Sequence, residues 1–83
     1  MGRGAEAMSE VDAVIADLTA RNQLEDNEYA QALESKAAAF RALGQQDQAV
    51  ATQQLAIARY TAIFGAEHSE VKRAERNLKK IRE

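Results

Sequence analysis

Apolar residues recur along this chain at three- and four-residue intervals, and that spacing predicts four helices. The first runs from about Glu6 or Ser9 to Arg21, with Met8, Val11, Val14, Ile15 and Leu18 on one face. Ser9 followed by Asp12 suits an N-cap with an acid in the first turn. Residues 22–27 break the pattern and read as a loop. A second helix starts near Asn27 or Glu28 and ends at Leu43, its stripe formed by Tyr29, Leu33, Ala37, Phe40 and Leu43. Gly44 then stands where a helix end needs a left-handed residue. The third helix spans about Asp47 to Phe64 on Ala49, Val50, Ala56, Ile57, Tyr60, Ile63 and Phe64, with Gln53 interrupting the face and Gly65 as its C-cap. The fourth, from about Ser69 to Arg82, is the most polar and has a narrow stripe of Val71, Ala74, Leu78 and Ile81. The short connections favour antiparallel neighbours. No stretch alternates apolar and polar residues over four or more positions in the manner of a strand, so the expected class is all-α.

Composition narrows this further. The 83 residues suffice for one domain (1–83) with a small core, so stability depends on good helix packing or on a partner. With no cysteine there is no disulfide framework and no thiolate metal site, and no cofactor is expected. No apolar run approaches the roughly 18–20 residues that span a bilayer. The first residues lack the apolar stretch of a secretory signal, and Glu6 stands where a myristoylation signal needs Ser or Thr. A cytoplasmic protein without membrane contact is the expectation.

The net charge of −2 conceals an asymmetry. Residues 1–34 carry two basic and eight acidic side chains, whereas residues 35–83 carry nine basic and five acidic. The basic excess peaks at Lys72, Arg73, Arg76, Lys79, Lys80 and Arg82. Such a cluster attracts phosphate. Yet the last helix has no aromatic residue to stack on bases, no nucleic-acid motif is present, and the pI is about 5.4. Nucleic acid is therefore disfavoured as a partner, and pairing of the acidic half with the basic end, within or between chains, is the simpler use of the asymmetry.

Sliding the chain by 42 residues aligns Gly2 with Gly44, Ala7 with Ala49, Ile15 with Ile57, Ala16 with Ala58, Thr19 with Thr61, Ala20 with Ala62, Glu25 with Glu67, Glu28 with Glu70 and Ala32 with Ala74. Alanine-rich helices inflate such matches, so the register decides: the loops at Glu25-Asp26 and Glu67-His68 fall into step, as do Tyr29 and Val71 opening the next helix. Within this unit Leu33, Ala37, Phe40, Gly44, Ala49 and Ala56 occupy the large, small, aromatic, turn and small positions of a helix pair. On these residues the chain resembles a tetratricopeptide repeat. The stretch Phe64-Gly65-Ala66-Glu67-His68-Ser69-Glu70-Val71 is similar to the 42-residue, kinesin-light-chain-like variety, with Ser69 in place of a proline. Lys36, Gln46, Gln53 and Glu75 also depart from the family pattern. The resemblance implies a right-handed helical array: a half repeat at about 6–21, a complete repeat at 27–64, and a half repeat at 69–82.

The resemblance also implies a non-enzymatic module that binds a protein or peptide. Its groove would be lined by Gln31, Glu34, Ser35, Ala38 and Arg41 of the complete repeat and by Arg73, Arg76, Asn77 and Lys80 of the last helix. Asn77 stands where related repeats hold a peptide backbone with an amide that both donates and accepts. His68 matches the family's loop histidine and is expected to cap or brace the turn. Alone, with no cysteine, it is a poor metal or catalytic candidate. Ser9, Ser35 and Ser69 have no base at motif spacing, and Glu25 with Asp26 sits in a polar loop where no raised pKa is expected, so an enzyme is not expected. The alternatives are a self-assembling structural protein, a homo-oligomer whose half-repeat ends complete each other head to tail with Gln53 facing another subunit, or a repeat fragment with no independent function.

Overall fold

The computed structural model describes residues 3–21 and 27–83. All of the regular structure among them is helical: α1 (Arg3–Ala20), α2 (Asn27–Ala42), α3 (Gln46–Phe64) and α4 (Ser69–Arg82). The loop expected at residues 22–27 lies outside the described residues, except that Asn27 already belongs to α2.

Three helices match their expected spans to within a residue, and α1 does not. It begins at Arg3, so Ser9 lies inside the helix rather than at its cap. The reason is tertiary. Gly4 is so close to the end of α2 that an added Cβ would sit 3.0 Å from Leu43 Cγ and Cδ2. Ala7 and Met8 are half-buried, so the turn before Ser9 is packed, and strong helix formers carry the helix through it.

The helix ends follow local chemistry. Gly44 has φ 77°. Its N–H bonds to Arg41 O at 3.0 Å and the Gln45 N–H to Phe40 O at 2.9 Å, the paired bonds of a Schellman cap. Gly65, at φ 91°, closes α3 by donating to Thr61 O at 2.9 Å. His68 caps α4 as expected: its Nδ1 accepts from Glu70 N–H at 3.1 Å, and its ring stacks on Phe64 with centroids 4.4 Å apart.

Packing runs in chain order: α2 lies against α1 and α3, and α3 lies against α4. The described chain makes a flat slab of 37 × 34 × 16 Å, so no helix is enclosed on all sides. One core cluster joins Ala30 and Leu33 of α2, Ala56 and Tyr60 of α3, and Val71 and Ala74 of α4. A second joins Ala37, Ala49 and Ile81, with Phe40 and Val50 against it. Alanine at so many contact positions lets the helix axes approach closely, and it leaves little apolar area per contact. Val14 and Leu43, both expected in stripes, stay 48% and 42% exposed. Val14 is exposed because α2 is the helix that covers α1, and it covers one side.

Candidate functional site

The unusual chemistry lies where α2, α3 and α4 meet. Glu34 projects from α2 between the other two helices, with its side chain 13% exposed. Its carboxylate accepts from Arg73 Nη2 at 2.7 Å and Nη1 at 3.3 Å, Tyr60 Oη at 2.9 Å, Gln53 Nε2 at 3.0 Å and Asn77 Nδ2 at 3.1 Å. A carboxylate offers about four lone-pair sites, so these five bonds saturate it. Burial alone would push the Glu34 carboxyl up. Hydrogen bonds from Arg73, Gln53, Asn77 and Tyr60 together outweigh burial and hold it below the usual glutamate value.

The donors are fixed in turn. Gln53, 1% exposed, also donates from Nε2 to Ala74 O at 2.9 Å, which ties α3 to α4. Arg73 reaches Glu70 Oε2 at 3.1 Å and Tyr60 Oη at 3.3 Å, and its guanidinium lies 5.7 Å from the Tyr60 ring centre. The bonds to Glu34 and Glu70 hold Arg73 firmly in its charged form. Burial, with the Glu34 carboxylate beside it, pushes the Tyr60 phenol up to about 12. Gln53 therefore does not face another subunit. Its amide is consumed inside the chain, because Glu34 offers an acceptor that an apolar residue at position 53 would waste.

Beside this network runs a cleft of about 510 Å³ between α2 and α4. Glu34, Ala38, Arg41, Asn77 and Lys80, five residues expected in a groove, line it together. Ala38, Ala42 and Ile81 supply its apolar wall. Arg73 borders it through its bonds to Glu34. Gln31 is elsewhere, in a separate cleft between α1 and α2, because its side of α2 turns towards α1. Arg76 is exposed and lines neither cleft.

The cleft's chemistry follows from this geometry. Glu34 is occupied, so the acid of the site fixes its neighbours and presents no free carboxylate. Asn77 has Nδ2 committed to Glu34, which leaves its Oδ1 to accept from a ligand. Arg41 and Lys80 are exposed, and among the described residues neither forms an ion pair. Among the described residues, no group of three or more His, Asp or Glu side chains is placed to hold a metal.

Sequence reasoning missed Tyr60 and misjudged Gln53. The available signal was polar: a glutamine breaking an apolar stripe, an acid in the middle of α2, and an arginine next to the narrow stripe of α4. No family model matches the chain, and no curated protein or solved structure matched it significantly.

Proposed function

We propose that this chain is a non-enzymatic interaction module of tetratricopeptide-like type, and that it holds an extended, acidic peptide segment in the α2–α4 cleft. The carrying observation is the Glu34 knot. It fixes Asn77 and Arg73 of α4 against α2, so that a hydrogen-bonding amide stands beside the cations Arg41 and Lys80 over an apolar wall. An extended backbone has an N–H for Asn77 Oδ1, and a partner carboxylate has two cations within the same cleft. Preorganisation matters here, because a side chain already held in place costs less to order on binding.

The repeat reading is supported by equivalences at an offset of 42 residues. Thr19 Oγ1 donates to Ile15 O at 2.8 Å, and Thr61 Oγ1 donates to Ile57 O at 2.8 Å. Leu18 and Tyr60, also 42 apart, are both fully buried. Cytoplasmic placement is part of the same proposal and rests on composition alone. Head-to-tail assembly is the weaker reading. In the repeat register, Ala30, Leu33, Ala37 and Phe40 of α2 become Lys72, Glu75, Lys79 and Arg82 of α4, all exposed. Burying that charged stripe under another helix is costly, which disfavours this face of α4 as a contact between copies.

The test is fluorescence anisotropy with extended peptides matched in length and apolar content and carrying acidic, neutral or basic side chains. The acidic peptide binds best, and its affinity falls with salt. Lys80→Glu and Arg41→Glu each weaken it about tenfold or more. Equal binding of all three peptides, or indifference to both substitutions, refutes the proposal.

A further inference from the structure

A second cleft, of about 420 Å³, lies between α1 and α2. Val11 and Val14 of α1 and Ala32 of α2 form its apolar wall, and Glu10 and Glu28 stand on it as acids. Advancing these positions by 42 residues lands on a surface already described. Val14 becomes Ala56 and Ala32 becomes Ala74, which pack with Ala30 and Leu33 of α2. Val11 becomes Gln53, a donor to Glu34. Gln31 and Ser35, which also line the second cleft, become Arg73 and Asn77, two more donors to Glu34. In the 42-residue register the α1–α2 cleft thus corresponds, at Val11, Val14, Gln31, Ala32 and Ser35, to the socket in which α2 itself is seated on α3 and α4.

The two sockets differ in charge. The α3–α4 socket offers the cation Arg73 to the carboxylate of Glu34. At the matching place the α1–α2 cleft has neutral Gln31. It keeps an acid at Glu28, which matches Glu70, and adds a second at Glu10, which matches Thr52. The apolar floor is retained and the electrostatic preference is reversed.

We propose that the α1–α2 cleft docks an amphipathic helix from a partner protein, with small and large apolar residues spaced like Ala30, Leu33 and Ala37 and with Arg or Lys where α2 carries Glu34. Charge complementarity to Glu10 selects the cation, and the shape that already accepts α2 selects the helix. A second copy of this chain fits less well. Its α1 is acidic at Glu6, Glu10 and Asp17 and would face like charge. Its α4 offers Arg76 at the right place but puts Glu75 where Leu33 packs and Lys79 where Ala37 packs. This site rests on the repeat register proposed above, but it is distinct from the α2–α4 cleft, and its success or failure is independent of peptide binding there.

The experiment titrates the 83-residue protein with two helix-stapled fluorescent peptides. One has the sequence of α2, Asn27–Ala42, and the other is the same peptide carrying Glu34→Arg. The arginine peptide binds about tenfold more tightly than the unchanged one, and the gap narrows as salt rises. Val14→Asp abolishes binding of the arginine peptide without loss of helicity, because Val14 is already 48% exposed. Glu10→Lys reverses the peptide preference, and Lys80→Glu, in the other cleft, leaves it unchanged. Equal binding of the two peptides, or a preference for the unchanged one, overturns the proposal. So does sedimentation showing a dimer that Val14→Asp returns to monomer, since the occupant would then be a second copy.

Discussion

At the scale of the residue, Glu34 decides most. One carboxylate draws a tyrosine, a glutamine, an arginine and an asparagine from two other helices into one network. Removing one partner of such a network is costlier than its net contribution suggests, because the other groups are left without a partner in a half-dry setting. Glu34→Gln keeps the shape but offers an amide nitrogen to a ring of donors. The expected loss is about 1–3 kcal/mol at neutral pH, read from the urea midpoint. The pH dependence is a second readout. The folded pKa of Glu34 lies below the ordinary value of 4.5, so its contribution is fully present above that value and is lost as the pH falls through the folded pKa. Wild type therefore loses stability more steeply in acid than Glu34→Gln, and parallel acid limbs for the two proteins would refute the role assigned to Glu34.

At the scale of the element, the helices are set by stripes and punctuation that were legible in the chain. The stripe of α2 and the glycine behind it gave its end to within a residue, because the Schellman cap depends on local backbone chemistry. Gly44 shows the cost of that punctuation. Its φ of 77° is unfavourable for any residue with a Cβ, although nothing lies within 4 Å of where that atom would go. Gly44→Ala therefore loses about 1 kcal/mol from backbone conformation alone, with an unchanged urea m-value. An effect near zero would mean that the α2–α3 turn relaxes out of its cap. The beginning of α1 was not legible, since Ser9 and Asp12 make a good local cap. What overrides them is the seating of Gly4 and its neighbours on the end of α2, a contact some forty residues away in sequence.

At the scale of the whole molecule, the candidate site was half legible for the same reason. Arg41, Asn77 and Lys80 could be placed in one groove from the repeat register, and they do line one cleft. The knot that organises it joins residues 19 to 43 apart along the chain, and helical periodicity carries no information about such pairs. Gln31 shows the opposite failure: it shares helix α2 with Glu34 but faces α1, so membership of one helix did not place it in the cleft. The flat shape leaves two clefts open, one between α2 and α4 where Arg41 and Lys80 form no ion pair among the described residues, and one between α1 and α2 with acids and an exposed valine. The claim that the first face takes an acidic extended segment is tested most directly by titrating isotope-labelled protein with such a peptide and following the backbone amides by NMR. The expected shifts concentrate at Ala38, Arg41, Ala42, Asn77, Lys80 and Ile81, with Val11 and Val14 unmoved; no shifts at saturating peptide, or shifts confined to α1, would contradict acidic-peptide binding in this cleft.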